Sequence, residues 1–577
     1  MANKLQKRGQ KFLKKFSRAS LKASEESKEH IKENVFARFS HVLDIKLLIF
    51  EWGLLVLALI MLSTAQAFWF SDSYAADDFI EGGSYTEATL GRVNTLNPLF
   101  ATTSSEKVLS RLMFATLVKI DYSGHTGMGL AESLTPSEDG QVWTMKLREG
   151  LKWSDGKDLT TEDVMFTLGL IQNPAVNTIY GANLENVTIS EDATGKIVFK
   201  LPAAYADFET ALIIPVVPKH ELEDAALKTL VEDDFSVTPV TSGAFSFNAS
   251  QNTTDGERMI YLSENPYYYM GGSMISSFAV KTFSDKDAIV AAINSGAVTA
   301  TAELSGLEAE KVTATSYEKQ KAGINAGVFA FFNTGAGAFK NAELRAAVRQ
   351  GLDFAKIREA AAGAEALDYP LISSQIKLTN LPTIPAANYN AAKSKISELY
   401  SAGGKKANLA TVRTGYLPAV AEAFAENLES LGIPTELTVY EETQDFVANV
   451  VSRRNYDILI YDIELGADPD LLAYYHSSQA NASGLNLSSY RNALVDDLLI
   501  GARETLDEAL RAKKYESFLE YWVADVPAIG LYRSNMTYIY NKNVRSFGEN
   551  VRLVTSLDRF SDITMWAAVK GSRDLTP

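Results

Sequence analysis

The sequence predicts an α/β protein built from two different lobes and preceded by one transmembrane helix. Residues 82–330 are rich in strand patterns, whereas strands and helices alternate after residue 405. This change of pattern indicates two lobes within one α/β architecture. The chain has 577 residues, which is too many for a single hydrophobic core. Residues 47–70 are almost entirely apolar and come before the folded body.

Residues 47–70 predict the transmembrane helix. At about 1.5 Å per residue, a helix of this length exceeds the roughly 30 Å hydrocarbon core of a bilayer. Glu51 is its only charged residue, and residues 1–46 carry 12 Lys and Arg against 5 Asp and Glu. The positive-inside rule therefore places this basic tail in the cytoplasm and the body outside. The tail either lies on the anionic inner leaflet or is a solvated segment that only enforces topology.

The apolar segment also contains a candidate cleavage site. Ala65-Gln66-Ala67 has the small-x-small form that signal peptidase recognises. However, the basic segment before it is long for a signal peptide, and the apolar run continues past Ala67. We therefore expect an uncleaved signal anchor followed by a linker at 71–81, with cleavage after Ala67 as the alternative.

Composition excludes several classes of function. The chain has no cysteine, which removes disulfides, thiolate metal sites and a lipidated cysteine anchor. Its five histidines are scattered, so we expect no metal site and no cofactor. The net charge is −16, and the residues after the tail sum to −23 (43 Lys and Arg against 66 Asp and Glu), which argues against nucleic acid as a partner. No hydrolase, metalloprotease, P-loop or dinucleotide motif occurs, so we expect no enzyme and no catalytic residue.

Residues 129–170 give the clearest local pattern. Within them, residues 141–147 alternate between apolar and polar side chains, which predicts a half-buried strand. Thr160 and Asp163 have the spacing of a capping box and predict the start of a helix. Residues 105–118 predict another helix, with its apolar side chains on one side.

The second half of the chain has longer apolar runs. Residues 327–333 predict a strand that is buried on both faces, and residues 341–356 predict the helix after it. From residue 405 the pattern is βαβ, with predicted elements that we list in chain order: a strand at 407–412, a helix at 417–431, a strand at 435–440, a helix at 446–451 and a strand at 456–461.

These stretches resemble one known family. The sequences LAESL, WTMKLREGLKWSDGK and LTTEDVMF of residues 130–166, and FFNT followed by FKNAELRAAV from residue 331, are similar to the signatures of the family 5 extracellular solute-binding proteins. These proteins are the oligopeptide and dipeptide receptors of ABC importers. A third similar stretch is NYDILIYDIELGADPD at residues 455–470. The resemblance covers about residues 84–545.

The resemblance implies a two-lobed, periplasmic-binding-protein-like fold of type II with a small extra subdomain in lobe I. Lobe I is expected at 82–326, lobe II at 327–528 and a C-terminal return to lobe I at 529–577. In this arrangement the tail at 1–46, the signal anchor at 47–70 and the linker at 71–81 precede the two lobes.

The resemblance also implies candidate ligand-binding residues. Peptide receptors of the family hold the amino terminus of the ligand with an Asp just before the DPD sequence. Here that position is Leu465, so the neighbouring Glu464 becomes the candidate. Family dipeptide receptors hold the ligand carboxylate with an Arg in the strand that matches residues 407–416. Arg413 lies at that position or one residue off, which would put it on the opposite face of the strand, and its alternative is a surface ion pair. Asp468 either contacts the ligand or orders the turn before the next helix.

Three further side chains complete the candidate site. Asn333 ends the predicted buried strand and either faces the cleft or forms a turn. Tyr461 and Tyr474, together with Tyr475, could line side-chain pockets, with core packing as the alternative.

The expected function is therefore that of a membrane-anchored, extracytoplasmic receptor, working as a monomer, which binds a peptide-like solute by hinge closure and delivers it to an ABC permease. One alternative is the same fold with a non-peptide solute, which the leucine at position 465 favours. The other is a surface adhesion or sensor protein that has lost transport.

Overall fold

The computed structural model describes residues 54–62, 78–79, 81–121, 123–253, 257–370, 376–400, 405–441, 443–548, 551–568 and 570–571. Residues 54–62 are helical and have exposed side chains. Among the residues in these ranges, none of the helices combines the length and the apolar character that a membrane crossing needs. Most of the predicted segment 47–70 lies outside the described residues. Residues 79–570 form one compact unit, and the fold below belongs to it.

The first part of this unit is rich in strands. Its strands are β1 Ser84–Leu90, β2 Val118–Ile120, β3 Thr126–Met128, β4 Ala131–Pro136, β5 Val142–Leu147, β6 Thr188–Glu191, β7 Ile197–Lys200, β8 Phe245–Asn252, β9 Arg258–Glu264, β10 Ser277–Phe283 and β11 Ala300–Thr301. Its helices are α1 Ser104–Met113, α2 Thr161–Gln172, α3 Phe208–Ala211, α4 Lys219–Leu222, α5 Lys286–Ser295 and α6 Gly306–Glu310.

The second part alternates strands and helices. Its strands are β12 Tyr317–Phe332, β13 Ala407–Val412, β14 Thr435–Tyr440, β15 Ile458–Glu464 and β16 Ala528–Asn541. Its helices are α7 Ala342–Gly351, α8 Phe354–Glu359, α9 Tyr389–Leu399, α10 Leu417–Leu431, α11 Thr443–Phe446, α12 Leu472–Tyr475, α13 Ala493–Glu504 and α14 Glu508–Asp525. A π-helical turn at Val447–Val451 follows α11 directly.

Within the described residues, ten strands form one sheet in the order β14-β13-β15-β12-β16-β11-β1-β10-β9-β8. A separate four-stranded sheet has the order β4-β5-β7-β6 and contains the predicted half-buried strand. The long strands β12 and β16 lie side by side and antiparallel at the middle of the large sheet. They are therefore shared by the two halves of the molecule.

Two large apolar cores flank this pair of strands. The first core takes its side chains from residues 85–322 and 536–566, and the second takes them from residues 328–532. We call the residues around the first core lobe I and those around the second core lobe II. The chain thus enters lobe II along β12 and returns to lobe I along β16.

A bulge interrupts the β12–β16 ladder between the lobes. Gly323 pairs with Asn535 and Gly327 pairs with Arg533, so three residues of β12 lie opposite one residue of β16. Asn325, inside the bulge, donates its backbone N–H to the Val554 carbonyl of lobe I at 3.0 Å. The bulge therefore turns backbone groups away from the ladder and towards the space between the lobes.

Several predicted elements are confirmed with their bounds. Strands β13 and β14 and helix α10 span the predicted residues. Gly432 ends α10 in the left-handed conformation, as the sequence suggests. The capping box of Thr160 and Asp163 is present at the start of α2.

Two predicted helices are too long. The helix expected at 105–118 ends at Met113, because the next residues pair with another segment: Thr116 bridges Pro215 and Leu117 donates its N–H to the Ile214 carbonyl. The helix expected at 341–356 is broken in two, because Asp353 caps a second helix through the Lys356 N–H.

Gly530 on β16 provides a test of how tightly the central strands are packed. A methyl group at Gly530 would overlap the backbone carbonyl oxygen of Leu367, so Gly530→Ala should destabilise the protein by roughly 1–3 kcal/mol. Gly169, which is exposed inside helix α2 and has open space around it, is the matched control. There the same change should stabilise by about 0.4–1 kcal/mol. The urea unfolding midpoints of the two variants measure these changes in stability. If both midpoints shift equally and in the same direction, the packing described for Gly530 is contradicted.

Candidate functional site

A cavity of about 570 Å³ lies between the two lobes. This volume falls within the range of roughly 300–1,000 Å³ that is usual for small-ligand sites. Lobe I supplies most of the wall, and lobe II contributes one short segment that begins at the last residue of strand β15. The lining residues are Ala101, Ser104, Lys107, Ser110, Arg111, Phe114, Thr116, Ile120, Ile179, Tyr180, Ile213, Pro215, Glu464, Gly466, Ala467 and residues 554–558. We call this space the large cavity.

The lobe II segment is fixed by the bulge of β12. The Leu465 N–H donates to the Asn325 carbonyl at 2.7 Å, and the Asn325 side-chain amide donates to the Gly466 carbonyl at 3.1 Å. Ala467 packs against Ile120 and Val554 of lobe I. Because these bonds hold the backbone on both sides of the segment, the wall of the large cavity has a defined position relative to the central strands.

Glu464 is the acidic group that lobe II presents to the large cavity. It is exposed at the end of β15. The Tyr474 hydroxyl donates to its backbone carbonyl at 2.7 Å. Burial, followed by the charge of Glu464, raises the pKa of Tyr474 to about 12, so this hydroxyl stays protonated and remains a donor. Tyr474 therefore holds the backbone that carries the Glu464 carboxylate.

Lobe I presents cations on the opposite wall. Lys107 and Arg111 are one turn apart on helix α1, whose other face contributes to the first core. Arg111 donates to the Ser561 hydroxyl at 3.1 Å and lies 3.8 Å from Asp558. Burial raises the pKa of Asp558 above its ordinary value. The lobe I wall of the large cavity therefore carries Lys107, Arg111 and the Asp558 carboxyl group beside Arg111, and the lobe II wall carries the Glu464 carboxylate.

A buried ionic cluster joins the lobes beside the large cavity. Arg511 of helix α14 contacts Asp207 of lobe I and also donates to Asp468 of lobe II at 3.0 Å. The Tyr205 hydroxyl of lobe I donates to the other oxygen of Asp468 at 2.5 Å. Burial raises the pKa of Asp468 to about 7, and the hydrogen bond and charge of Asp207 add to this shift. We call these four residues the inter-lobe cluster.

A second pair of contacts supports the inter-lobe cluster. Arg503 at the end of α13 donates its Nε to Asp470 at 2.5 Å. The backbone N–H of Ala206 in lobe I donates to the Arg503 carbonyl at 2.7 Å. Burial and the charge of Asp468 raise the pKa of Asp470. The loop that carries Asp468 and Asp470 thus contacts lobe I directly after it leaves the wall of the large cavity.

The structure brings some of the predicted site residues together and separates others. Glu464, Tyr474 and Asp468 share one region between the lobes. Asp468 also accepts the Asp470 N–H at 2.8 Å, so it orders the turn as well as joining the lobes. Tyr461 packs against the Phe446 ring at the edge of the second core, which is the core-packing alternative.

Arg413 and Asn333 lie apart from this group. Arg413 is exposed, and its Nε donates to Glu441 at 2.5 Å; this is the surface ion pair foreseen as the alternative. The Asn333 side chain donates to the carbonyls of Arg454 and Tyr456 and accepts the Gly335 N–H. It therefore has the turn-forming role and is buried in lobe II.

Several site residues were missed by sequence reasoning. For Lys107 and Arg111 a signal existed, because they occupy the polar side of a helix whose apolar stripe was recognised. For Asp207 and Arg511 there was none, since their contact joins residues 304 positions apart and depends on how the two lobes meet.

The structure also brings together three potential metal ligands in lobe I. Atoms of Asp155, His220 and Glu221 lie within 4.8 Å of one another. The Lys157 ammonium is 3.2 Å from Asp155 and 4.0 Å from Glu221, so one positive charge already lies beside the two carboxylates.

Two lobes that share a pair of strands and enclose a cavity define a protein that binds a small ligand between its lobes. Comparison with known proteins identifies its family. Residues 126–484 match the bacterial extracellular solute-binding proteins, family 5, in their middle region. The chain belongs to this family, whose members are substrate-binding receptors, and the two-lobed α/β fold expected from the resemblance is confirmed.

Individual relatives are similar over most of their length. The chain is 25% identical over 499 residues to the oligopeptide-binding protein AppA of Bacillus subtilis, covering 81% of this chain and 89% of AppA. The structure of AppA in complex with a nonapeptide has a TM-score of 0.67 at 22% identity, covering 85% of this chain and 99% of AppA.

Two other solved structures share the fold. The ABC transporter substrate-binding protein CtaP of Listeria monocytogenes has a TM-score of 0.74 at 22% identity, covering 84% of this chain and 99% of its own. NikZ of Campylobacter jejuni, in complex with Ni(L-His), has a TM-score of 0.69 at 20% identity with the same coverage.

The inter-lobe cluster should make stability depend on both Arg511 and pH. Arg511→Met leaves two buried carboxyl groups without their cation, which should cost roughly 3–5 kcal/mol when both are ionised. The pKa of Asp468 is raised from 3.8 to about 7, so its contribution to stability falls as pH rises through this window. Removing the arginine should raise the pKa of Asp468 further. The variant should therefore lose more free energy of unfolding at pH 8 than at pH 5.

Urea unfolding of the variant and the unmodified protein at both pH values measures this effect. Lys146→Met, which breaks the exposed ion pair with Glu132, is the matched control and should change the midpoint little at either pH. If Arg511→Met lowers the free energy of unfolding by the same amount at pH 5 and pH 8, the ionisation of the carboxyl groups does not depend on Arg511 as described.

Proposed function

We propose that this protein is a membrane-anchored, extracytoplasmic substrate-binding protein of an ABC importer, and that it binds peptide-like solutes in the large cavity by closure of its lobes. The observation that carries this proposal is the large cavity itself, which has Glu464 on the lobe II wall and cationic side chains on the lobe I wall. A free peptide carries an ammonium and a carboxylate, and each needs an opposite charge when water is excluded.

Hinge closure follows from the way the lobes are joined. The strands β12 and β16 carry the chain between the lobes, and the bulge at Asn325 interrupts their ladder there. Closure brings Arg511 and Asp468 against Asp207, and these contacts stabilise the closed arrangement. The ligand is then enclosed and can be delivered to the permease as part of a closed complex.

The relatives support a peptide-like ligand and also indicate the alternative. AppA of Bacillus subtilis is an oligopeptide-binding protein whose structure contains a nonapeptide, whereas NikZ contains Ni(L-His). Leu465 occupies the position at which family peptide receptors have an aspartate. The non-peptide solute therefore stays the second candidate, and Glu464 has to replace the missing aspartate if the ligand is a peptide.

The chain is anchored in the membrane at its N-terminal side, and its body is divided into two lobes. Residues 47–70 form an uncleaved signal anchor, with residues 1–46 in the cytoplasm and the linker at 71–81 outside. Lobe I comprises 82–326 with the return at 529–577, and lobe II comprises 327–528. The body works as a monomer beside the permease on the outer face of the membrane.

Binding of peptides to Glu464→Gln tests the ligand assignment. The unmodified chain should bind short peptides with a free amino terminus, and Glu464→Gln should weaken this binding about ten- to a hundredfold because a charge-assisted hydrogen bond is lost. N-acetylated peptides should bind both forms equally weakly. Titration calorimetry measures the affinities, and small-angle scattering should show a smaller radius of gyration on binding.

Glu441 is an exposed acid that pairs with Arg413, and Glu441→Gln is the matched control for this test. This variant should bind the peptides with unchanged affinity. Native mass spectrometry of the purified protein identifies any ligand that co-purifies. A single non-peptide mass, together with no heat from di- to decapeptides, would reject the peptide and favour the second candidate.

The anchor makes a separate prediction. The full chain should stay in the membrane pellet after a carbonate wash, whereas a chain that starts at residue 78 should be released, because only the first retains the apolar segment. N-terminal sequencing of the mature protein distinguishes the alternatives. A mature protein that begins at Phe68 would show cleavage after Ala67 and exclude the retained anchor.

A further inference from the structure

The buried charges where the lobes meet include more acids than bases. Asp207, Asp468 and the adjoining Asp470 face two guanidinium groups, those of Arg503 and Arg511. The side chains of the three acids are at most 13% exposed. With every group ionised, three anions face two cations, and the set has a net charge of −1. An unpaired buried carboxylate costs several kcal/mol, so one acid of this set favours its protonated form.

The contacts place the extra proton between Asp207 and Asp468. Asp470 has a guanidinium of its own, because Arg503 contacts its Oδ2 through both Nε and a terminal nitrogen. Asp207 and Asp468 share Arg511 instead, and they lie within hydrogen-bonding reach of each other. Two ionised carboxylates cannot form that bond, since neither has a donor. One proton on the pair supplies the donor and removes the excess charge.

Asp468 is contacted from both lobes. Lobe I contributes Asp207 and the Tyr205 hydroxyl, which donates to Asp468 at 2.5 Å. Lobe II contributes Arg511 at 3.0 Å and the Asp470 N–H at 2.8 Å. Burial, followed by the hydrogen bond and charge of Asp207, raises the pKa of Asp468 to about 7, although Arg511 and Tyr205 act in the opposite direction. The groups that favour the protonated form therefore include one from the other lobe.

Two tyrosines complete the surroundings of these charges. The Arg511 guanidinium is 5.7 Å from the centre of the Tyr515 ring, and the Arg503 guanidinium is 5.5 Å from the centre of the Tyr205 ring. Burial raises the pKa of both tyrosines above its ordinary value, so they stay neutral. The proton balance of the inter-lobe cluster is therefore decided by its carboxyl groups.

Separating the lobes divides the inter-lobe cluster into two sets. Asp207 and Tyr205 belong to lobe I, whereas Asp468 keeps Arg511 because both belong to lobe II. Asp468 then has a guanidinium beside it, no second carboxylate and access to water, and each of these favours its ionised form. Water replaces the hydrogen bond from Tyr205. The open arrangement therefore releases the proton that the closed one holds.

The inter-lobe cluster adjoins the wall of the large cavity. Glu464 and Ala467 line that wall, and Asp468 directly follows Ala467 in the chain. In the proposed closure this segment moves towards lobe I, so a ligand held against it brings Asp468 towards Asp207. Ligand enclosure and assembly of the inter-lobe cluster are then one movement.

We propose that closure of the lobes around a ligand takes up one proton from solvent, which Asp207 and Asp468 share, and that opening returns it. This inference rests on the proposed function and adds pH as a regulator of ligand retention. The closed arrangement favours the protonated acid and the open one the carboxylate. Ligand affinity is therefore highest at acid pH, and it falls as the pH rises towards and through the pKa of about 7 that Asp468 has in the closed arrangement.

Titration calorimetry of the full chain measures the proton directly. The probe is trialanine, or pentaalanine if the longer peptide binds more tightly. Binding heats at pH 5.5 are compared in MES and in piperazine, whose enthalpies of ionisation differ, and the difference gives the number of protons bound with the peptide. The unmodified protein should take up about one proton, and its affinity should be about twenty- to thirtyfold weaker at pH 7.5 than at pH 5.5. Binding without proton uptake would overturn the inference and leave the proposed function intact.

Two variants assign the proton to the inter-lobe cluster. Asp468→Asn imitates the protonated acid, because the amide has the same shape, no charge and its own N–H donors. It should bind the peptide without proton uptake and with the same affinity at both pH values. Asp207→Asn leaves as many anions as cations and should also reduce the uptake to less than about a third of a proton. The second variant keeps the test valid if the first folds poorly.

Asp462→Asn is the matched control, because Asp462 is another acid of β15 and its neighbourhood whose pKa is raised. Burial raises this pKa to about 6, and the charge of Glu464 adds to the shift. Asp462 accepts a hydrogen bond from Ser534 at 2.8 Å, so the groups that act on it lie in the large sheet and outside the inter-lobe cluster. This variant should keep the uptake of about one proton.

The control also defines the contrary results. If Asp462→Asn abolishes the uptake and Asp468→Asn keeps it, the proton is held elsewhere and the inference is overturned. If neither peptide binds at either pH, the proposed function itself fails, and the inference that depends on it fails as well.

Discussion

The lobe II segment that walls the large cavity is held by hydrogen bonds from the bulge of β12. Asn325 binds Leu465 and Gly466 of lobe II and Val554 of lobe I through its own backbone and side chain. A regular ladder would have used these groups within the sheet. The bulge instead releases them to both lobes at the point where the chain passes between them. The bulge residues 324–326 therefore affect both the path of the central strands and the lobe II wall of the large cavity.

Buried charges are shared across the place where the two lobes meet. A buried carboxylate costs several kcal/mol unless it is paired. Arg511 pairs with Asp468 within lobe II and with Asp207 of lobe I, so Asp207 obtains this partner from the other lobe. Leu465, by contrast, packs against the second core, so the residue next to Glu464 is apolar.

Sequence patterns predicted what is local and apolar. The bounds of α10, β13 and β14 followed from periodicity and from Gly432, because each signal is contained in a few neighbouring residues. The pairing of Thr116 with Pro215 was not predictable in this way, and it shortened a helix. Of the site, Glu464 followed from a family resemblance, whereas Arg511 and Asp207 are brought together by the way the two lobes meet. Side chains joined by long-range pairing leave no local pattern.

Lobe II is an insertion between the two central strands. The chain leaves β12 and returns to β16 at adjacent points, where the Phe332 N–H donates to the Pro527 carbonyl at 3.0 Å. A segment of nearly two hundred residues with its own core can therefore be excised or exchanged through one pair of neighbouring junctions. Exchange of lobe II at these junctions would change the lobe II side of the large cavity and leave the lobe I wall as it is.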